Sequence, residues 1–272
     1  MSSVVALSHR LVLKLTGSEV LPYLQRLITA DVELLSNKTL NYAFLLNARG
    51  RIVEDIFLLT QRNENHFAVL LECGRKNVSS FFKLLKRYVM HKDVCIEITD
   101  YNAYFVQQCS HQNDIVDPRV SHFGGRVYSK QTPDGEVRDL SFYHNRRYEF
   151  GIPEGEEIYG RIPVFCNGDL MSGISSNKGC YVGQETTTLS MSNMVRQRIV
   201  PFICTGNVSG CVWKDDGNVG SVVSCDGNRG LAIVKTEIIS MFPVKLNTDN
   251  GSITLFVPDW WPISARKSLK FN

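Results

Sequence analysis

The 272-residue sequence has no long hydrophobic run and little excess of either charge. Apolar stretches such as residues 67–71 are far shorter than the roughly 18 residues that a membrane-spanning helix needs. The net charge of +3 and the pI near 8.4 are too mild for a nucleic-acid-binding domain, whose pI usually exceeds about 9. The sequence therefore predicts neither membrane insertion nor nucleic-acid binding, and its 43% of hydrophobic residues is typical of a globular protein.

Closely spaced cysteine pairs are also missing, although the chain contains eight cysteines. The nearest two, Cys204 and Cys211, lie seven positions apart, so no C-x-x-C pair indicates a zinc or iron–sulfur site. The first residues contain no apolar segment of the roughly 7 to 15 residues that a secretory signal requires, and no clear presequence. We therefore expect free thiols in a reducing compartment, most of them buried, and no set of metal ligands.

Local patterns divide the chain into a larger first part and a smaller second part. Residues 78–89 have apolar side chains at helical spacing between strand-like runs, which predicts a ββαββ layer across 41–109. From about residue 195, short β-branched runs alternate with glycines, which is typical of a small antiparallel barrel. We predict an α+β body at 1–195, formed by two interleaved subdomains of which one spans about 41–109, and a β-barrel at 196–272.

The most unusual segment is Lys-Gly-Cys-Tyr-Val-Gly-Gln-Glu at residues 178–185. Lys178 is close enough in sequence to Cys180 to favour a thiolate. Gln184 and Glu185 offer acceptors for a ligand edge with two parallel N–H donors. A tight turn with a buried cysteine and a capping glutamate would use the same residues. The segment alone therefore leaves a ligand-binding and a purely structural interpretation open.

The same segment resembles the K-G-C-[YF]-x-G-Q-E signature of the YgfZ/GcvT-like folate-binding family. The resemblance includes residues 24–31 and 45–55 and extends over nearly the whole chain. It is nearest to the CAF17-type branch of mitochondrial iron–sulfur cluster assembly factors, which are classed as transferases. It implies an α+β, GcvT-like arrangement of three subdomains around a central folate-sized opening. It also implies that the C-terminal part is a small antiparallel β-barrel.

The function implied by the resemblance is a tetrahydrofolate-binding assembly factor for [4Fe-4S] proteins in the mitochondrial matrix. The implied partners are A-type iron–sulfur scaffold proteins and a ferredoxin, and the protein is expected to be a monomer. Two alternatives remain open: a folate-dependent one-carbon transferase of the aminomethyl type, and a binding module in which the motif is structural.

The resemblance also assigns site residues. Cys180, Asp55 and Glu54 are the candidate catalytic residues, and the two acids occupy the place of paired acids in aminomethyltransferases. This chain has Glu-Asp where those enzymes have Asp-Asp, and Gly50-Arg51 where they have Gly-Gly, which counts against transfer chemistry. A folate needs an acceptor for its pterin edge, aromatic rings for stacking and cations for its glutamate tail. The expected folate-binding residues are Lys178, Gly179, Tyr181, Gly183, Gln184, Glu185, Tyr42, Arg51 and Arg196.

Overall fold

The computed structural model describes residues 2–35, 39–63, 66–109 and 114–267. Its α-helices are α1 (Val20–Gln25), α2 (Val78–Val89), α3 (Leu140–Phe150), α4 (Gln184–Ser192) and α5 (Ile263–Lys267). Its strands are β1 (Ser3–Ala6), β2 (Arg10–Thr16), β3 (Leu40–Leu46), β4 (Ile52–Asn63), β5 (His66–Gly74), β6 (Cys95–Ile98), β7 (Asn102–Val106), β8 (Ile115–Val116), β9 (Gly125–Ser129), β10 (Glu136–Arg138), β11 (Gln197–Cys204), β12 (Cys211–Lys214), β13 (Gly217–Asp226), β14 (Arg229–Lys235), β15 (Val244–Thr248) and β16 (Gly251–Leu255). Within these ranges, no helix is both long and apolar enough to cross a membrane.

The body contains two five-stranded sheets. The first has the strand order β3-β4-β5-β2-β6, and the second has the order β10-β1-β7-β9-β8. The first sheet does not coincide with the layer expected across 41–109, because β2 completes it and β7 joins the second sheet. Alternation along a strand shows which side chains are buried but not which distant strand is the partner.

Helices α1 and α2 cover one face of the first sheet. Helix α2 has the bounds that its apolar spacing predicts, and it buries Phe81 and Leu85. These side chains pack with residues such as Leu13 and Val69 from β2 and β5. Burial of this apolar face, rather than the intrinsic helix preference of its residues, is the main stabilisation of such a helix.

Strands β11 to β16 form a closed barrel, as the sequence predicts for the C-terminal part. The barrel closes where Phe202 of β11 pairs with Leu255 of β16, so the sheet has no open edge at this seam. Its interior includes Val200, Phe202 and Ile253. The barrel is joined to the body partly by Trp260, whose indole N–H donates a hydrogen bond to the carbonyl oxygen of Phe150 at 2.7 Å.

Buried charges connect the two sheets of the body. Arg10 on β2 donates hydrogen bonds to Glu72 at 2.8 Å and to Asp55 at 3.0 Å, both within the first sheet. Arg126 on β9 of the second sheet donates to the same Glu72 oxygen at 2.8 Å and to Glu154 at 3.1 Å. All five side chains are almost completely shielded from solvent.

The connection is extended by Arg119, which lies between β8 and β9. Its guanidinium group contacts Asp117 at 2.8 Å and Glu154 at 2.7 Å. Removing one partner from such a cluster leaves an unpaired buried charge, which costs about 3–5 kcal/mol. We call the following residues the inter-sheet ion network: Arg10, Asp55, Glu72, Asp117, Arg119, Arg126 and Glu154.

Glu54 lies beside this network and is itself fully buried. Its carboxylate accepts hydrogen bonds from the Tyr159 hydroxyl at 2.7 and 2.8 Å and from the Gly74 N–H at 3.0 Å. Burial, together with the charge of Asp55, raises the pKa of Glu54 to about 7, although Arg10 acts in the opposite direction. The folded protein therefore retains this proton at pH values where an unfolded chain releases it.

The turn between β3 and β4 contacts the start of α4. Gly183, which precedes the helix, has a φ of +79°, and a Cβ atom placed there would lie 2.6 Å from the Asn47 carbonyl oxygen. Gly50 has a φ of +68°, and its Cβ would lie 2.5 Å from the Cβ of Thr186. Only glycine permits this close approach without strain.

The raised pKa of Glu54 predicts a pH-dependent effect of Glu54→Gln. Wild-type stability falls as the pH rises from the unfolded-state pKa of about 4.5 to the folded-state pKa of about 7, because the unfolded chain releases this proton first. Glutamine keeps the shape and has no proton to release. The difference in unfolding free energy, variant minus wild type, should therefore become about 2 kcal/mol more positive between about pH 5 and pH 8. Urea denaturation at several pH values measures this difference.

Glu156→Gln is the matched control, because this carboxylate is 57% exposed in its pair with Lys76. We expect a difference from wild type that stays constant over the same pH range. A Glu54→Gln difference that is also constant with pH would show that Glu54 does not hold its proton in the folded state.

The close contact at Gly183 predicts a large loss of stability for Gly183→Ala. The added methyl group meets the Asn47 carbonyl and the backbone has a positive φ, so we expect a loss of about 2 kcal/mol or more. Gly179→Ala, four positions earlier, is the control, because a Cβ there meets no atom within 4 Å. Its effect should stay within about 0.5 kcal/mol. Denaturation midpoints measure both, and equal losses would contradict the contact.

Candidate functional site

Lys178, the first residue of the motif, is bound to the backbone of a distant segment. Its side chain is buried, and its Nζ donates hydrogen bonds to the carbonyl oxygens of Ile28 at 2.7 Å and Ala30 at 2.8 Å. Burial lowers the pKa of Lys178 to about 8. The same Nζ lies 5.1 Å from the centre of the Tyr181 ring. Lys178 therefore anchors the motif to the segment that follows α1.

Further hydrogen bonds hold the motif along the same segment. The Val182 N–H donates to the Arg26 carbonyl oxygen at 3.2 Å, and the Ser175 N–H donates to the Thr29 carbonyl oxygen at 2.9 Å. The buried Thr29 hydroxyl donates to the Gly173 carbonyl oxygen at 2.6 Å and accepts from a backbone N–H of β3 at 2.8 Å. Thr29 is absent from the predicted site, although residues 24–31 belong to the family resemblance.

Cys180 is exposed at the surface between these anchored neighbours. Gly179 beside it is also exposed, while Lys178 and Tyr181 are buried on either side. The thiol therefore lies on a short exposed arc whose two ends are fixed. A partner protein can approach a group in this position without any rearrangement of the fold.

Helix α4 continues directly from the motif. Gln184 is half-buried and Glu185 is exposed, in the first turn of the helix. Leu189 and Met194 are each 56% exposed, and Met191 is 38% exposed. We call Leu189, Met191 and Met194 the α4 apolar residues. Leu189 and Met191 are two positions apart and point in different directions from the helix, and Met194 follows its end.

Tyr42, Glu54 and Asp55 are buried inside the body. Glu54 and Asp55 are 0% exposed and Tyr42 is 1% exposed. Asp55 accepts hydrogen bonds from Arg10 and from the Gly155 N–H, and the Tyr42 hydroxyl donates to Asp55 at 3.4 Å. Their polar atoms are therefore occupied by the protein itself. These residues do not fit contacts with a folate or proton transfer to a folate amine.

The two predicted arginines occupy separate places. Arg51 is exposed, and its guanidinium donates to the Gly160 carbonyl oxygen at 3.3 Å. Arg196 is also exposed, and with Phe165 and Lys235 it lines a cavity of about 550 Å³ beside the barrel. Neither the acids of the body nor Glu185 lines this cavity. The cavity that Arg196 lines therefore includes none of the other predicted folate residues.

The cysteines are more exposed than the sequence predicts. Only two are fully buried, so the expectation that most thiols are buried is wrong. The reason is their position near sheet edges, in loops and at the end of the barrel. The buried cysteines are Cys73 and Cys166, the exposed ones are Cys95, Cys109 and Cys180, and the half-buried ones are Cys204, Cys211 and Cys225. Among the described residues, no group of three or more His, Cys, Asp or Glu side chains could hold a metal ion.

Known proteins resemble this chain over most of its length. Residues 196–263 match the family model described as "CAF17, C-terminal beta-barrel domain". The mouse protein named "Iron-sulfur cluster assembly factor IBA57, mitochondrial" is 29% identical over 307 residues, which cover 96% of this chain and 86% of that protein. The human protein of the same name is 28% identical over 305 residues, with 96% and 85% covered. A homologue from Neurospora crassa is 30% identical over 230 residues, with 72% and 52% covered.

A solved structure shares the fold. The glycine cleavage system aminomethyltransferase T from Bartonella henselae has a TM-score of 0.76, and the match covers 95% of this chain and 86% of that chain. At 15% sequence identity this likeness shows the fold alone. The GcvT-like fold predicted from the sequence is therefore confirmed, and the names of the relatives confirm the predicted mitochondrial location. The predicted resemblance to CAF17/IBA57 proteins and to the GcvT-like fold is therefore confirmed over nearly the whole chain.

Proposed function

We propose that the protein is an iron–sulfur cluster assembly factor and that Cys180 is the residue through which it meets a cluster-bearing partner. The names of relatives that match nearly the whole chain support the general function. The observation that carries the role of Cys180 is its exposure between the buried residues Lys178 and Tyr181. No other side chain of the motif presents sulfur to a partner.

The chemistry of the thiol suits this role. Iron–sulfur clusters are held by cysteine thiolates, so an exposed thiol can act on a cluster that a partner carries as cargo. The α4 apolar residues follow in the chain and add exposed apolar surface that the partner can contact. Met191 and Met194 give this surface flexible side chains that adapt to the shape of a partner.

The family resemblance supplies the more specific parts of the proposal, namely the target proteins, the location and the partners. They are maturation of [4Fe-4S] proteins, location in the mitochondrial matrix, and partnership with A-type scaffold proteins and a ferredoxin. The relatives are named as mitochondrial iron–sulfur assembly factors, which is compatible with each of these parts.

The family resemblance also implies tetrahydrofolate binding, and the GcvT-like fold supports this expectation. The enclosure of Tyr42, Glu54 and Asp55 counts against it, as does the distribution of the remaining residues over separate places. The proposal therefore contains no step that uses folate. The alternative function, one-carbon transfer, has no accessible acid among the predicted catalytic residues.

Cys180→Ser should abolish the function without disturbing the fold. In cells depleted of their own homologue, the variant should restore less than a tenth of the activity of a [4Fe-4S] enzyme that the wild type restores. The physical reason is that serine keeps the size of the side chain but removes the sulfur ligand. The measurement is enzyme activity at equal levels of soluble protein.

The control variant is Cys95→Ser, which removes another exposed thiol on β6. It should restore activity as the wild type does. If Cys180→Ser restores activity as well, the thiol has no part in the function and the motif is structural.

The enclosure of the inner residues also predicts the outcome of adding tetrahydrofolate. A ligand present at about 100 times its Kd stabilises the folded state by about 2.7 kcal/mol, which raises the Tm by several degrees. We expect no change in Tm at millimolar tetrahydrofolate. A rise of several degrees that Arg196→Ala or Glu185→Ala removes would contradict this expectation and restore the folate site.

A further inference from the structure

Two half-buried thiols lie side by side at one end of the barrel. The Sγ atoms of Cys204 and Cys225 are 3.7 Å apart, although the residues are 21 positions apart in the chain. A disulfide bond joins two Sγ atoms at about 2.05 Å, so bond formation requires these atoms to approach each other by about 1.6 Å.

The barrel topology explains why the thiols meet. Cys204 is the last residue of β11, and Cys225 is the penultimate residue of β13. Strand β14 runs between them, and its preceding turn folds over the end of β11, where the Cys204 N–H donates to the Asn228 carbonyl oxygen at 2.9 Å. The turn therefore brings the end of β13 close to the end of β11.

The surroundings of the pair allow a small molecule to reach it. Both cysteines are half-buried, at the end of the apolar interior of the barrel. The Cys204 thiol donates to the Gly206 carbonyl oxygen at 3.1 Å. At Gly206 and at Gly227, an added Cβ atom would meet nothing within 4 Å, so there is open space beside both glycines.

We propose that Cys204 and Cys225 form a redox-active dithiol that a small disulfide, such as glutathione disulfide, oxidises to an intramolecular disulfide. The bond links β11 to β13 across the end of β14. It is a covalent modification site on the barrel, separate from the motif that contains Cys180. It does not depend on the function proposed above.

The oxidation proceeds in two exchange steps. The thiolate of Cys225 attacks one sulfur of glutathione disulfide, forms a mixed disulfide and releases one glutathione thiolate. Cys204 then loses its proton to solvent and attacks the Cys225 sulfur, which releases the second glutathione. Two protein thiols are oxidised, and one glutathione disulfide is reduced to two glutathione molecules.

The order of attack follows from the state of Cys204. Burial, together with the hydrogen bond and charge of Cys225, raises the pKa of the Cys204 thiol to about 11. Cys204 is therefore protonated at neutral pH and bonded to the Gly206 carbonyl oxygen, which suits the second step better than the first.

The experiment treats the full-length reduced protein with glutathione disulfide, blocks the remaining thiols with N-ethylmaleimide and analyses a tryptic digest by mass spectrometry. Cys204 and Cys211 lie in the peptide 199–214, and Cys225 lies in the peptide 215–229. We expect these peptides to be joined by a disulfide, with N-ethylmaleimide on Cys211. The oxidised protein should also have a higher Tm than the reduced protein, because a cross-link restricts the unfolded chain.

Three single variants separate the pair from its neighbour. Cys204→Ser and Cys225→Ser should each lower the yield of the joined peptides at least tenfold and remove the Tm difference, while Cys211→Ser should leave both unchanged. Joined peptides that persist in Cys204→Ser would assign the bond to Cys211 and overturn the proposal. So would a wild-type digest that contains only glutathione adducts and no joined peptides.

Discussion

The inter-sheet ion network is the constraint on which the rest of the body depends. Arg126 from the second sheet and Arg10 from the first share one oxygen of Glu72, so the sheets cannot shift without separating buried charges. Such charges are tolerated inside a protein only when they are paired. Asp55 ties β4 into the same network, and β4 leads back to the turn that contacts Gly183. Strand β4 therefore connects the buried charges with the turn on which the motif packs.

The motif is anchored by hydrogen bonds to distant parts of the backbone. Lys178 satisfies two carbonyl oxygens that follow α1, and Thr29 joins Gly173 to β3. These contacts order the backbone up to Cys180 without using its thiol. Preorganisation of this kind reduces the entropy that is lost when a partner binds. A fixed arc that carries one exposed thiol is thus better suited to docking than a flexible loop with the same sequence would be.

The features that could be predicted from the sequence are those with a local cause. Helix α2 was predictable because its apolar spacing repeats along one segment, and the barrel because its turns are marked by glycines. The place of β2 in the first sheet and the acceptors of Lys178 were not, because they come from distant parts of the chain. The exposure of Cys180 was not predictable either, because it also depends on contacts with distant parts of the chain. A motif shows which residues are adjacent in sequence, whereas tertiary packing decides which of them face solvent.

The paired acids Glu54 and Asp55 show that a family resemblance assigns residues to positions but does not predict the surroundings of their side chains. In this chain, Asp55 is held by Arg10, and Glu54 by Tyr159 and Gly74, with no solvent contact. To exchange a proton with a ligand, either acid would first have to lose these partners. For Asp55 this breaks a buried ion pair with Arg10, at a cost of about 3–5 kcal/mol. Asp55 belongs to the inter-sheet ion network, and Glu54 lies beside it. Of the three candidate catalytic residues, the Cys180 thiol is the exposed one, and it lies outside the network.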